Sequence, residues 1–160
     1  MSEIKVLFVC TGNICRSPTA EGVLRHKLTE AGLAERVRVD SAGMIDYHAG
    51  EPPDRRAIQH AARRGYDLRD QRARQLRSAD FETFDLLLGM DRGHFRQLAR
   101  LCPPQFAERV KLFLEYAAVA GLPAEVPDPY YGGQEDYDYA LDLIEPGVEG
   151  LIAALERDFL

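Results

Sequence analysis

Ile4-Lys5-Val6-Leu7-Phe8-Val9-Cys10-Thr11-Gly12-Asn13-Ile14-Cys15-Arg16-Ser17-Pro18 is an apolar, β-rich run that breaks into a short polar turn and then into a helix start. The first seven residues read as a buried strand. Ser17 suits an N-cap and Pro18 the first helical position, after which Ala20, Val23, Leu24, Leu28 and Ala31 recur at helical spacing as far as Gly32. A turn between a buried strand and a helix lies where open α/β sheets hold their ligands.

The pattern repeats downstream. Arg36-Val37-Arg38-Val39-Asp40 alternates like a second short strand, closed by Ser41-Ala42-Gly43. Asp54 is positioned to cap a helix over Arg55 to Arg64 that Gly65 ends. Phe84 to Met90 reads as a third strand, Arg92 to Leu101 as a helix stopped at Pro103-Pro104, and Val110 to Phe113 as a fourth strand. An irregular stretch from Gly121 to Gly133 follows, then an apolar stripe from Leu141 to Phe159 with Pro146 inside it, which predicts a kink or break near Glu145. The expected fold is α/β: one domain over residues 1–160, with a central four-stranded parallel sheet, helices on both faces and a phosphate-binding loop after the first strand.

Composition narrows the function. A chain of 160 residues, 46% hydrophobic, can bury one core. Net charge is −6 and no basic block occurs, which argues against nucleic acid as a partner. No apolar run approaches the roughly 20 residues of a membrane span, and Met1 to Lys5 lacks the features of a signal peptide, so a soluble, cytoplasmic protein is expected. Three cysteines are too few for a disulfide framework, and the four histidines, His26, His48, His60 and His94, show no paired spacing with them. No metal site and no cofactor are therefore expected, and the histidines read as solvated or capping residues.

The turn itself carries chemistry. Cys10 ends the strand, and Thr11 to Ser17 can fold with successive N–H groups turned inward, at a helix N-terminus that favours anions. Such a ring fits a phosphate, and it favours a thiolate at its centre for the same reason. Arg16 adds a planar fork able to grip two oxygens at once. Gly12 and Asn13, the only asparagine in the chain, are the residue types that tolerate positive φ in a tight loop.

The string Val9 to Pro18 resembles the signature loop of the low-molecular-weight protein tyrosine phosphatases almost residue for residue. The resemblance extends over nearly the whole chain: Ser41-Ala42-Gly43 with Tyr47, Gly50 and Pro53-Asp54, then Phe84-Asp85 to Met90-Asp91, then Asp128-Pro129-Tyr130-Tyr131-Gly132. It implies a bacterial-type phosphatase that hydrolyses phosphotyrosine through a phosphocysteine intermediate. Cys10 would be the nucleophile, Arg16 the phosphate clamp and Asp128 the general acid and base. Thr11, Gly12, Asn13, Ile14 and Cys15 would line the phosphate, and Ser17 would donate a hydrogen bond to the Cys10 sulfur. Asn13, through Ser41, would hold the loop in shape, while Tyr47 and Tyr131 would wall the cleft. Phosphotyrosine proteins are the implied partners, with phosphate and other oxyanions as inhibitors. In relatives from higher organisms the paired tyrosines are themselves phosphorylated. Where many members carry a histidine before the Ala-Arg-Gln segment, this chain has Gln71.

The residues also separate the alternatives. A phosphate monoester dianion resists attack, so thiolate attack followed by water makes two easier steps, with charge held by N–H groups and arginine. Arsenate reductases on this scaffold relay through further cysteines, and only Cys102, which reads as structural, lies outside the loop. Phosphoarginine phosphatases tend to carry threonine at the position of Ile14, whose apolar side chain suits an aromatic ring. Cys15 reads as a partner for a reversible disulfide that spares Cys10 from irreversible oxidation.

Overall fold

The computed structural model describes residues 3–160. Met1 and Ser2, which the single-domain expectation included, lie outside the described residues. In chain order the elements are strand β1 (Ile4–Cys10), helix α1 (Arg16–Glu30), β2 (Val37–Gly43), α2 (Arg55–Arg63), the short α3 (Asp80–Thr83), β3 (Leu86–Gly89), α4 (Arg92–Leu101), β4 (Val110–Leu112) and the long α5 (Gln134–Asp158). Two 3₁₀ turns, Pro104–Arg109 and Phe113–Tyr116, flank β4. All strand pairs are parallel and the sheet order is β2-β1-β3-β4. This is the four-stranded α/β sheet that the sequence predicts.

Strand alternation divides the core. Val6, Phe8, Cys10, Leu86 and Leu88 face the larger cluster, shared with the apolar sides of α1, α2 and α5. Leu7, Val9 and Leu87 face the opposite way, onto Phe81, Phe84, Leu98 and Val110. Phe8 anchors the larger side with an edge-to-face contact on Phe113, ring centres 5.3 Å apart. Because β1 has β2 on one side and β3 on the other, the chain leaves it in opposite directions, and the crevice at that reversal opens at Cys10.

Four local expectations are corrected. Helix α1 starts at Arg16 with Cys15 in the cap position, so Ser17 is not the N-cap and Pro18 is not the first helical residue. Proline is still tolerated there because first-turn N–H groups need no partner in the helix. Strand β2 runs on to Gly43, because its register with β1 extends to the Cys10–Gly43 pair. Strand β3 begins only at Leu86, since Phe84 closes α3, its N–H donating to the Asp80 carbonyl at 3.0 Å. Helix α5 is not broken at Pro146. The carbonyl that Pro146 leaves free belongs to Asp142, an exposed residue, so water can take it. Among the described residues no helix is long and apolar enough to cross a membrane.

α5 lies close against the Phe113–Tyr116 turn, and a Cβ on Gly150 would collide with the Tyr116 carbonyl. That neighbour is backbone and cannot swing away. Gly150→Ala is therefore expected to destabilise the fold by about 1–3 kcal/mol, read as a lowered urea midpoint with activity per folded molecule unchanged. An unshifted midpoint would show that α5 slides freely on that turn.

Candidate active site

Five residues join β1 to α1, and the carbonyls of three of them, with that of Cys10, are held by donors outside the loop. The N–H groups of Met44, Ile45 and Asp54 donate to the carbonyls of Cys10, Thr11 and Ile14 at 2.9, 3.1 and 2.7 Å. The Cys15 carbonyl accepts from the Thr19 N–H at 3.2 Å and from its hydroxyl at 2.6 Å. In a trans peptide the following N–H points opposite to the carbonyl, so those of Thr11, Gly12, Cys15 and Arg16 turn into the hollow of the loop. The first turn of α1 adds its positive end there.

The loop turns on Asn13, the only non-glycine residue with positive φ (59°) among the described residues. Its side chain is fixed at three points: Oδ1 accepts from the Arg74 N–H at 3.0 Å, and Nδ2 donates to Ser17 Oγ and Ser41 Oγ, both at 2.9 Å. Because Ser17 Oγ accepts from Asn13, its own hydrogen is left for Cys10 Sγ, 2.9 Å away. Ser41 in turn donates to the buried Glu21 at 2.6 Å, and Arg25 pairs with the other Glu21 oxygen at 2.7 Å. Gly12 departs from expectation, for its φ is not positive. A Cβ there would instead lie 3.0 Å from the His48 ring. Gly43 is glycine because the loop backbone passes within about 3 Å of where a Cβ would sit.

Arg16 is almost fully buried and joins two other segments. Nη1 donates to Asp91 Oδ2 at 2.8 Å and to the Val126 carbonyl at 3.0 Å, while Nη2 stands 3.7 Å from Asp128 Oδ2. Val126 donates to the Met90 carbonyl at 2.9 Å, so the loop bearing Asp128 is stitched to the end of β3. Asp128, between Pro127 and Pro129, accepts from the Tyr130 N–H at 3.1 Å, and Arg56 clasps the carbonyls of Tyr130 and Gly132. Burial alone would raise the Asp91 carboxyl, but the His94 N–H, the His94 ring and Arg16 outweigh it and hold it below the usual range.

Cys10 and Arg16 lie at the foot of a cleft of about 410 Å³, with Asp128 on its wall. Ile14, Ile45, His48 and Tyr130 line it too, and the strongly exposed Tyr47 and Tyr131 form its rim. Thr11, Gly12 and Cys15 also border it, while Asn13, Ser17 and Ser41 stand behind the loop. Cys15 is a buried thiol, pushed up to about 12 chiefly by burial, with its sulfur 3.7 Å from the Tyr137 hydroxyl. All three cysteines are free.

His26 is solvated as expected, but two other histidines are not. His60 is buried, stacked on Tyr137 and 2.7 Å from Asp138. His94 is buried with Nε2 2.9 Å from Thr11 Oγ1, and burial together with the charge of Arg16 pushes it down to about 4, so it stays neutral. Glu21 and His94 carry no motif, because Ser41 and Thr11, which they meet, lie far along the chain, and the clasp of Arg56 on Tyr130 and Gly132 is equally remote. Only the Glu21–Arg25 pair, four residues apart, and the cap position of Asp91 leave a trace in the sequence.

Burial pushes Glu21 up from its ordinary 4.5 to about 7, despite Arg25 and Ser41. A carboxyl raised on folding stabilises the fold most below its unfolded value, and that contribution is lost as pH rises through the folded one. Glu21→Gln keeps an acceptor for Ser41 but cannot ionise. It should flatten the fall in unfolding free energy between about pH 4.5 and 7 in urea titrations; an unchanged slope would remove Glu21 as its source.

Residues 5–159 match the family model of the low molecular weight phosphotyrosine protein phosphatases. A low molecular weight protein-tyrosine-phosphatase of Streptomyces coelicolor is 46% identical over 96% of this chain and 94% of its own length. A putative one of Synechocystis is 41% identical over 98% and 99%. The crystal structure of a protein tyrosine phosphatase from Entamoeba histolytica, with Hepes in its active site, superposes with a TM-score of 0.94 at 37% identity, covering 99% of this chain and all of that one. With the likeness running from end to end in both sequence and backbone, the chain belongs to the low molecular weight phosphotyrosine protein phosphatases, a family of hydrolases.

Proposed function

We propose that the enzyme hydrolyses phosphotyrosine in proteins by way of a phosphocysteine on Cys10. The observation that carries this reading is the sulfur at the foot of an aromatic-rimmed cleft, with the Ser17 hydrogen committed to it and Arg16 alongside. The inward N–H groups and Arg16 hold the three equatorial oxygens of the phosphoryl group.

In the first step the sulfur–phosphorus bond forms as the phosphorus–oxygen bond to tyrosine breaks, and Asp128 gives its proton to the departing phenolate. In the second, water attacks phosphorus, Asp128 takes its proton, and the sulfur–phosphorus bond breaks to release phosphate and the thiolate. Asp91 is no substitute for Asp128, because its ion pair with Arg16 and the His94 N–H keep it ionised. Ile14, Ile45 and the tyrosines favour a flat aromatic side chain over a guanidinium, which supports phosphotyrosine over phosphoarginine. Hepes bears a sulfonate, and its presence in the Entamoeba enzyme's active site supports binding of phosphate-like oxyanions. In this reading residues 1–160 act as one domain in the cytoplasm, where free thiols stay reduced.

Cys10→Ser should abolish turnover yet still bind vanadate by calorimetry, because the amide ring and Arg16 remain. Substantial residual turnover would remove Cys10 as the nucleophile. Asp128→Asn should lower kcat by about 10²- to 10⁴-fold, most for aryl phosphates whose phenols have high pKa and least for nitrophenyl phosphate. A loss uniform across that series would mean that Asp128 shapes its loop without donating a proton.

A further inference from the structure

We propose that the arginine stripe of α4 docks acidic residues flanking the phosphotyrosine of a protein substrate, a refinement that rests on the function proposed above. α4 leads directly away from the catalytic loop. Asp91 at its cap holds Arg16, and His94 in its first turn meets Thr11. From there Arg92, Arg96 and Arg100 follow at four-residue intervals, all exposed, so the helical rise sets them about 6 Å apart along one side. A groove of about 380 Å³ begins at Thr11, which it shares with the active-site cleft, and reaches Arg96 and Arg100. A peptide whose phosphotyrosine fills the cleft can lay its neighbouring residues along that groove.

Charge and spacing identify the occupant. Arg92 is shared with Glu125, 3.7 Å away, but among the described residues Arg96 and Arg100 have no hydrogen-bond, ion-pair or ring partner. Like charges four apart on a helix repel, and the negative end of the helix dipole accounts for Arg100 but not for Arg96 in mid-helix. The chain carries a net charge of −6, so a local positive stripe beside the cleft runs against its overall field. Asp91, the carboxylate in the groove, is already paired with Arg16 and with the His94 N–H. In an extended peptide alternate side chains lie on one side about 6.6–6.8 Å apart, close to the arginine spacing, and a guanidinium fork accepts a carboxylate side-on.

The test compares two phosphotyrosine peptides that differ only in carrying glutamate or glutamine at the flanking positions, with nitrophenyl phosphate as a substrate that reaches only the cleft. The wild-type enzyme should prefer the acidic peptide in kcat/KM by about five- to tenfold at low salt, as two exposed pairs allow. The preference should fade at about 0.5 M salt and vanish in the Arg96→Gln, Arg100→Gln double variant, with nitrophenyl phosphate turnover unchanged. No preference in the wild type, or the same preference in the double variant, overturns the docking surface and leaves the phosphatase reading intact. Failure to hydrolyse nitrophenyl phosphate would strike at the phosphatase reading alone. The docking surface is then judged by fluorescence anisotropy of the same labelled peptides, where equal affinity for both overturns it.

Discussion

Asn13 in its left-handed conformation is the constraint on which the site depends. That backbone state costs most side chains about 1–2 kcal/mol, and it persists because three hydrogen bonds from three separate segments converge on one amide. The bonds also have a direction. The Asn13 amide nitrogen can only donate, so both serine oxygens accept from it, and the hydrogen of Ser17 is left to meet the Cys10 sulfur. A single side chain thus shapes the loop and fixes which hydrogen meets the Cys10 sulfur.

Arg16 does for the far wall what Asn13 does for the loop. One of its nitrogens ties β3's exit, through Asp91, to the loop bearing Asp128, through Val126, and the other is left facing Asp128 and the cleft. The guanidinium ties two segments together and still turns a nitrogen toward the cleft, which a lysine with its single nitrogen could not do. Any substitution at Arg16 would therefore disturb the loop bearing Asp128 as well as the foot of the cleft.

How much of this lies open in the sequence follows from the range of each interaction. β1, the anion loop and α1 are legible because apolar period, glycine and cap residues act within a few positions, and the lone asparagine marks the turn. Asp128 is visible only through likeness to a family, since Asp-Pro alone reads as a turn. The extension of β2 to Gly43 depends on pairing with a strand some thirty residues earlier. The continuity of α5 through Pro146 depends on which side of the helix meets water, and neither is a local property. Ser17 looked like a helix cap because its type fits that role, yet Cys10 and Asn13, brought close by the fold, claim its hydroxyl. The buried His60 and His94 likewise owe their state to neighbours that no spacing rule reveals.

The stitching of Val126 to Met90, and of Tyr130 and Gly132 to Arg56, bears on when this segment loses its freedom. Enzymes that close a lid over substrate order a mobile segment anew in every cycle, and opening it again often limits their turnover. Here the loop bearing Asp128 is tied at Val126, Tyr130 and Gly132 by the folded protein, while Asp128 itself and Tyr131 stand exposed to solvent. The freedom given up in ordering that segment is given up when the chain folds, through bonds that Val126 and Arg56 make within the protein.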